Sequence, residues 1–334
     1  MATIKQVADF AQVSVATVSR VINKNGYVSP DLEERVRQAM DTLHYQPNSV
    51  ARSLRTQRSM TVGLLIPQLD HPFFSTLAFA IERSLFGDDY RTLICSAEEN
   101  PEKENAYVEM FMAQRVDGVI CVPTGHSAPN VARLIEREIP LVLVDRDLPQ
   151  ITASRVRTDN DMGGYTGIKH LLDLGHRRIG VIGTPAYSEP MIKRMEGVLR
   201  GLQEYDIDYQ PELLVTGTLQ QFEMGFNTAI EMLRTAERPT AIFALTDVIA
   251  IGGLHAAAKL GLSVPGDISV MGFDNIPLAA YSIPALTTVA QPIYAMGETV
   301  ARLLLGHLAD ETQPAETIIM QNELIVRQST DRPK

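Results

Sequence analysis

The sequence predicts a small all-α domain at the N-terminus, followed by a larger α/β body with two doubly wound parallel sheets. Apolar residues recur at helical spacing in the first 45 residues. From residue 61, short apolar runs typical of buried strands alternate with amphipathic stretches, and the alternation restarts near residue 178, which indicates a second sheet. A chain of 334 residues with 45% apolar content is long enough for two or three domains. We expect domains at residues 1–46 and 60–334, joined by a segment at 47–59.

Three helices are predicted in the N-terminal domain, and each begins with a recognisable cap. Thr3 and Gln6 form the Thr-x-x-Gln pattern of a capping box, and Ser14 is placed to cap the second helix. A third helix begins at Ser29, has Pro30 at its first position and runs to about residue 43. Two helices this close in sequence, packed on a third, make the helix-turn-helix arrangement, whose second helix enters the major groove of DNA.

The second helix combines an inner apolar stripe with an opposite face that suits DNA. Val18, Val21 and Ile22 form the stripe, so the remaining side chains are available to a partner. Arginine can bind a guanine edge with two hydrogen bonds, and small apolar side chains can contact thymine methyl groups. With the caps included, the candidate DNA contacts are Thr3, Ser14, Val15, Ala16, Thr17, Ser19, Arg20 and Asn23. The alternative is a three-helix packing module with no role in DNA binding.

The distribution of charge favours DNA binding by the N-terminal part of the chain. The net charge of the chain is −10, but residues 1–60 carry eight Lys/Arg against five Asp/Glu, whereas the rest carries 22 against 35. The basic end can therefore approach phosphate groups that would repel the acidic body.

The segment 47–59 is predicted to form a short helix that orders only against a partner. Asn48 caps a stretch of eight residues that ends at Arg55, and isolated helices shorter than about 12 residues are marginal in water. Leu54 is an apolar residue among arginines, which suits a wedge between base steps of the minor groove. Asn48, Arg52, Leu54 and Arg55 are therefore candidate DNA contacts, and an ordinary linker is the alternative.

Seven short buried strands are predicted in the body, and polar or aromatic residues follow several of them. The strands are Thr61–Pro67, Arg91–Ser96, Gly118–Pro123, Leu141–Asp145, Arg178–Gly183, Ala241–Thr246 and Ile268–Phe273. The residues at strand ends are His71, Phe73 and Phe74 after the first strand, then Asp145-Arg146, Thr246-Asp247 and Asp274-Asn275. Ligands of doubly wound sheets bind outside the carboxyl ends of the strands, so these residues predict a binding cleft. The alternatives for individual residues are a helix cap, a surface ion pair or, for the aromatics, the core.

Several classes of protein lack support in the sequence. No phosphate-binding loop, zinc-ligand spacing or nucleophile–base pair is found, which argues against an enzyme and against a metal or other cofactor. No apolar run approaches about 20 residues, and no secretory signal is visible, so we expect a cytoplasmic protein. A sugar-binding transport component is the main rival, but it would need such a signal and has no use for residues 1–58.

Three segments together give the chain a resemblance to the lactose-repressor/galactose-repressor family of bacterial transcription regulators. They are Thr17-Val18-Ser19-Arg20-Val21-Ile22-Asn23, Tyr45-Gln46-Pro47-Asn48 and Val50-Ala51-Arg52-Ser53-Leu54-Arg55, and the similarity continues to residues 324–330. The resemblance implies a hinge helix at 47–59 that pairs with its copy in the minor groove, where Leu54 opens the central base step. It also implies a periplasmic-binding-protein-like fold of two lobes, about 61–157 with 290–320 and about 160–287 with 321–330. Three crossings would join the lobes, near Val156–Asn160, Leu286–Gln291 and Ile318–Leu324.

The same resemblance implies a set of effector contacts between the lobes. Ribose-binding and purine-binding relatives place ligand contacts at the positions of Phe73, Phe74, Asp145, Arg146, Arg194, Phe222, Asp274 and Gln291. His71 and Thr246 stand where asparagine is common, and this departure leaves the identity of the ligand open. A pentose, a hexose or a sugar alcohol is expected, with a purine as the alternative.

These inferences predict a transcription regulator, most simply a repressor of carbohydrate-utilisation genes. A homodimer is expected to bind a pseudo-palindromic double-stranded operator, because a two-fold protein reads two-fold DNA. A small effector between the lobes would alter operator affinity through its differential affinity for two lobe arrangements. No leucine-rich tail follows the last predicted strand, which favours a dimer over a tetramer. Inducer and corepressor are both open for the effector.

Overall fold

Three helices form the N-terminal unit of the computed structural model, which describes residues 2–23, 26–45, 58–124, 128–183, 188–208, 210, 213–216 and 221–334. Contacts within the chain separate this unit, residues 1–60, from a second one at residues 61–334. The predicted hinge-helix contacts Asn48, Arg52, Leu54 and Arg55 lie outside the described residues.

The helices of the first unit are α1 (Ile4–Ala11), α2 (Val15–Asn23) and α3 (Pro30–Thr42). The capping box of α1 is confirmed, because the Thr3 hydroxyl accepts from the Gln6 backbone N–H at 3.3 Å and the Gln6 side chain accepts from the Thr3 N–H at 2.8 Å. Ser14 caps α2 by accepting from the backbone N–H of Thr17 at 3.1 Å. The inner faces of the three helices meet at a core that contains Val7, Val18 and Val36, all fully buried.

Two six-stranded sheets form the second unit. The first contains β1 (Thr61–Ile66), β2 (Arg91–Ser96), β3 (Gly118–Cys121), β4 (Leu141–Val144), β5 (Ser154–Thr158) and β11 (Thr317–Met320). The second contains β6 (Ile179–Gly183), β7 (Leu214–Thr216), β8 (Ala241–Ala244), β9 (Ser269–Asp274), β10 (Thr287–Ala290) and β12 (Glu323–Ile325). The spatial orders are β11-β5-β4-β3-β1-β2 and β12-β10-β9-β8-β6-β7. All strand pairs are parallel except β10 with β12, so the predicted fold class is confirmed.

Helices cover both faces of each sheet. On the first sheet, α4 (Pro72–Gly87) packs with α12 (Ile293–Ala309), and α5 (Pro101–Gln114) packs with α6 (Ala128–Glu136). On the second, α7 (Asn160–Asp173) packs with α8 (Glu189–Glu204), and α9 (Gln221–Arg234) packs with α10 (Asp247–Lys259); the short α11 (Pro277–Tyr281) follows β9. None of the helices in the described segments has the length and apolar character of a membrane span.

The strands that the sequence pattern did not reveal lie mainly where the chain passes between the lobes. Strand β5 alternates buried and partly exposed residues, and β10 begins with two buried threonines, Thr287 and Thr288. Neither looks like an apolar run, so both segments were expected only as crossings. Because β10 pairs with β9 throughout its length, the second lobe extends to residue 290, three residues beyond the expected bound of about 287.

Side-chain hydrogen bonds tie the crossings to one another. The hydroxyl of Thr158, at the end of β5, donates to Oε1 of Gln291 at 2.7 Å. The side-chain amide of Asn322, between β11 and β12, donates to the backbone oxygen of Asp159 at 2.8 Å. The three crossings are thereby held together near the carboxyl ends of β5, β10 and β11.

Candidate DNA-reading helix and interlobe cleft

Helix α2 presents its candidate DNA contacts on the side away from the core. Val15, Ala16 and Arg20 are exposed, Thr17 and Ser19 are partly exposed, and Val18 between them is fully buried. The hydroxyls of Thr3 and Ser14 act in the helix caps described above, although both residues are exposed. The side chain of Asn23 lies outside the described residues. Helix α2 thus has an exposed face of small apolar, hydroxyl and arginine side chains, which suits a recognition helix.

A cleft lies between the two lobes at the carboxyl ends of their strands and opens to solvent. The first lobe contributes Gln68, His71, Phe73, Phe74, Glu99, Asp145 and Arg146. The second contributes Ser188, Pro190, Met191, Arg194, Gln221, Thr246 and Asp274. Each sheet reverses its strand order between its first and third strands, and such switch points are where doubly wound sheets bind ligands.

Arg194 and Asp274 form a buried ion pair on the second-lobe side of the cleft. Nη1 of Arg194 lies 3.1 Å from Oδ1 of Asp274, and both side chains are 3% exposed. Arg194 also donates from Nε to Oδ1 of Asn160 at 2.8 Å and from Nη1 to the backbone oxygen of Leu245 at 2.6 Å. Burial raises the pKa of Asp274, and the charges of Arg194 and His71 oppose that effect. The pair offers a ligand both an acceptor and a charged donor held in fixed positions.

Close packing of α7 on α8 positions Arg194. A Cβ atom on Gly164 would lie 2.0 Å from the backbone oxygen of Arg194, and one on Gly197 would lie 1.9 Å from the backbone oxygen of Asp161. Only glycine allows the two helix backbones to approach this closely. The Arg-x-x-Gly element therefore contains both Arg194, which lines the cleft, and Gly197, whose close contact with α7 holds Arg194 in position.

Asp145 and Arg146 follow β4 and line the first-lobe side of the cleft. Nη1 and Nη2 of Arg146 donate to the two carboxylate oxygens of Glu99 at 2.9 and 2.6 Å, and Nη1 also reaches the backbone oxygen of Pro123 at 3.2 Å. Asp145 is 4% exposed. Burial raises the pKa of Asp145 to about 6, although Arg146 and Arg194 lower it.

A hydrogen-bonded chain joins the lobes across the cleft. His71 caps α4 by accepting at Nδ1 from the backbone N–H of Phe73 at 3.3 Å, so its proton is on Nε2, which contacts Oε1 of Gln221 at 3.2 Å. The hydroxyl of Thr246 donates to the same Gln221 oxygen at 2.7 Å. Burial lowers the pKa of His71, and Asp274 and Gln221 raise it. A neutral His71 is what this arrangement requires.

Phe73 and Phe74 supply an apolar wall on the first-lobe side. Their ring centroids are 5.2 Å apart with the planes at 78°, and the His71 ring lies 5.3 Å from that of Phe74. Both phenylalanines are buried and line the cleft. The wall can cover the apolar side of a ring-shaped ligand.

Two of the predicted effector residues do not line the cleft. Phe222 is 38% exposed and packs edge-on against His255, with ring centroids 6.0 Å apart. Successive residues of a helix point about 100° apart, so at the start of α9 it is Gln221 that faces the cleft. Gln291 does not line the cleft but donates from Nε2 to Oδ1 of Asp274 at 2.8 Å. It therefore orients Asp274, which does line the cleft.

Six of the lining residues were not predicted from the sequence. They are Gln68, Glu99, Ser188, Pro190, Met191 and Gln221. Glu99 had a usable signal, because it is a charged residue that lies three residues after the end of β2. Gln221 had a weaker one, as the polar neighbour of Phe222 at a helix start.

Asp145→Asn is expected to stabilise the protein at neutral pH. With a folded-state pKa of about 6 against an ordinary 3.8, the wild type loses unfolding free energy between these two values, where the Asp145 carboxyl is ionised in the unfolded chain but still protonated in the folded one. The gain of the variant should be close to zero at pH 4, grow between pH 4 and 6 and level off at about 2–3 kcal/mol above pH 7. Urea denaturation at several pH values between 4 and about 7 measures the difference in unfolding free energy between the variant and the wild type.

Asp310→Asn is the control for that measurement, with the opposite sign. Hydrogen bonds from Thr312 lower the pKa of the exposed Asp310 carboxyl, so its removal should slightly destabilise the protein at neutral pH. A gain of Asp145→Asn that does not change with pH would show that burial of the carboxylate is not its source.

Small-molecule-controlled DNA-binding regulators are the class of protein in which such a helical unit accompanies such a two-lobed body. A model of the lacI family of bacterial regulatory proteins matches residues 3–48, and a model of the periplasmic binding protein-like domain matches residues 168–330. The HTH-type transcriptional repressor PurR of Proteus mirabilis (strain HI4320) is 37% identical over 332 residues, which cover 98% of this chain and 97% of that protein. The chain therefore belongs to the lacI family and is a DNA-binding transcriptional repressor.

Solved structures of the family match in fold as well. The lac repressor dimer bound to operator and the anti-inducer ONPF superposes with a TM-score of 0.87 at 28% identity and covers 99% of both chains. A LacI family transcriptional regulator from Enterococcus faecium with bound ribose superposes with a TM-score of 0.75 at 32% identity, covering 82% of this chain and all of that one. The relatives named here are transcriptional regulators, not enzymes.

Proposed function

We propose that the chain represses carbohydrate-utilisation genes in the cytoplasm and that a small sugar-like effector in the interlobe cleft controls its affinity for operator DNA. The observation that carries this proposal is the cleft lining, which combines three carboxylates and two guanidinium groups with the apolar wall of Phe73 and Phe74. Adjacent hydroxyls of a sugar can donate to the carboxylates and accept from the guanidinium groups, and the wall covers the apolar ring face.

A purine effector is the second candidate. The identity of 36–37% to PurR repressors over nearly the whole chain favours it. A flat purine would gain most from aromatic faces on both sides, whereas Phe222 faces away from the cleft and the described aromatic lining lies on the first lobe alone. The cleft therefore supports a sugar more strongly than a purine.

A homodimer on a pseudo-palindromic double-stranded operator is part of the proposal. The first lobe exposes large apolar side chains on α4 and on the edge strand β2: Phe79 and Phe86 are each 55% exposed, and Ile94 is 40% exposed. Large apolar side chains exposed on one lobe in this way suit a protein–protein interface. Two copies would bring two recognition helices to two half-sites.

Coupling between cleft and DNA follows from the lobe arrangement. An effector that touches both lobes shifts them only by its differential affinity for two arrangements, and such coupling is typically about 1–3 kcal/mol. The hinge segment at 47–59 is proposed to order on DNA in one arrangement and not in the other. An effector that favours the DNA-competent arrangement acts as a corepressor, and one that favours the other acts as an inducer.

A thermal-shift screen of pentoses, hexoses, sugar alcohols and purine bases tests the effector class. A ligand of the folded state raises the unfolding temperature, and gel-shift assays with genomic fragments then measure whether the same compound changes operator affinity. A sugar that does both supports the proposal. A purine base that does both, with every sugar inactive, overturns it in favour of the second candidate.

Arg20→Ala is expected to weaken binding to the operator by about 1–3 kcal/mol if this exposed side chain of α2 binds a guanine edge. The measurement is a binding titration on a DNA fragment that the wild type selects. Arg37→Ala is the matched control, because Arg37 is an exposed arginine of α3 that pairs with Glu33 at 2.5 Å. Equal losses in both variants would mean that Arg20 contributes charge and not base recognition.

A further inference from the structure

Glu99 is a cleft residue with a specific partner. Its two carboxylate oxygens accept from both terminal nitrogens of Arg146, at 2.9 and 2.6 Å, in the two-pronged geometry that a guanidinium group offers to a carboxylate or a phosphate. The side chains of Glu99 and Arg146 are 7% and 10% exposed, and both line the cleft. The groups on Arg146 best suited to bind an anion are therefore already occupied by an anion of the chain itself.

The backbone around Glu99 is fixed on both sides. Glu98 donates its N–H to the backbone oxygen of Pro67 at 2.7 Å, and the Asn100 side chain caps α5 by accepting from the N–H groups of Glu102 and Lys103 at 2.8 and 3.2 Å. Glu98 and Glu99 both have φ of 54°, in the left-handed region. The turn directs the Glu99 carboxylate into the cleft, whereas the Glu98 side chain is 68% exposed and pairs with Lys103.

The cations among the described lining residues of the cleft already have carboxylate partners. Among the described lining residues the guanidinium groups are those of Arg146 and Arg194, and each is paired with a carboxylate, Glu99 and Asp274. Asp145 is a third carboxylate beside Arg146. A phosphate or carboxylate ligand would have to separate a buried ion pair, and it would then be repelled by the displaced carboxylate. Breaking the existing pair costs more free energy than the new ion pair with the ligand would restore. Neutral hydroxyls can share the same groups without breaking either pair.

We propose that Glu99 determines the specificity of the cleft by occupying Arg146, so that phosphorylated and other anionic effectors are excluded and neutral polyhydroxylated ligands are accepted. This inference rests on the proposed role of the cleft as the effector site. Glu99 acts as an internal stand-in for the anion that Arg146 would otherwise bind.

Inorganic phosphate at constant ionic strength is the probe. Calorimetric titration measures its binding to the wild type, Glu99→Gln and Glu98→Gln, and thermal shift measures its effect on their unfolding temperatures. Glu98→Gln removes the same charge one residue away, outside the cleft. We expect no measurable phosphate binding by the wild type or Glu98→Gln. Glu99→Gln should bind phosphate at least tenfold more tightly than the weakest affinity that the titration detects, with a rise in its unfolding temperature. The double variant Glu99→Gln with Arg146→Gln should lose this gain, because the guanidinium group is gone.

Two results overturn the proposal. One is a folded Glu99→Gln protein that binds phosphate no better than Glu98→Gln. The other is a wild-type protein whose unfolding temperature rises with phosphate at constant ionic strength, a result that does not depend on the folding of any variant. Neutral sugars in parallel titrations keep the two proposals distinct. If no sugar binds the wild type the effector class is wrong, whereas a missing phosphate gain refutes only the role of Glu99.

Discussion

Replacement of Asp274 by alanine is expected to abolish the response to effector and to lower the free energy of unfolding of the two-lobed body by about 3–5 kcal/mol. The variant removes the carboxylate that lies 3.1 Å from Nη1 of Arg194, and it leaves a guanidinium group that is 3% exposed without its acid partner. The side-chain amide of Gln291 also loses its acceptor. Chemical denaturation measures the stability, and the unfolding temperature with and without the sugar identified by the screen measures the response.

Asp173→Ala is the control for Asp274→Ala, because it removes a carboxylate from the same lobe at the surface. Asp173 pairs with Lys169 at 2.9 Å, with side chains 54% and 41% exposed, and such pairs contribute about 0–1 kcal/mol. Asp274→Asn keeps the shape of the side chain while removing its charge, so it separates lost binding from lost folding. A full effector response in either Asp274 variant would remove this residue from the site.

The sequence located much of the cleft because polar residues directly follow buried strands. Asp145 and Asp274 stand where a run of buried residues gives way to charge, and the carboxyl ends of parallel strands meet at one edge of a sheet. Both residues have positive φ, at 66° and 111°, so the chain turns sharply as it leaves the strand. The local pattern and the fold rule together were sufficient for these positions.

Other positions depend on angles and contacts that a linear pattern does not contain. The cleft faces Gln221 and not Phe222 because of the rotation of α9 about its axis, which its packing on α10 decides: a Cβ atom on Gly225 would lie 2.3 Å from the backbone oxygen of Ile249. Glu99 matters through Arg146, which is 47 residues away in sequence. Such long-range pairings become visible only when the sheet brings β2 and β4 into one lobe.

Gly197→Ala is expected to lower the free energy of unfolding by about 3 kcal/mol, at the upper end of the usual cost of overpacking. The added Cβ would lie 1.9 Å from the backbone oxygen of Asp161 and 2.6 Å from the backbone nitrogen of Tyr165. Neither backbone atom can rotate away as a flexible side chain would, so α7 and α8 must separate. Because Arg194 lies one turn earlier on α8, its contacts with Asn160 and Asp274 lengthen, and effector affinity should fall at least tenfold.

Gly87→Ala makes the same chemical change where nothing opposes it. Gly87 is the last residue of α4, and a Cβ atom there would have no neighbour within 4 Å. Alanine is preferred to glycine in helices, so this variant should be as stable as the wild type or up to about 1 kcal/mol more stable. The difference between the two alanine variants in chemical denaturation isolates the helix contact from the intrinsic preference of the residue. If Gly197→Ala were as stable as Gly87→Ala and bound the effector normally, close approach of α7 and α8 would not be what holds Arg194 in the cleft.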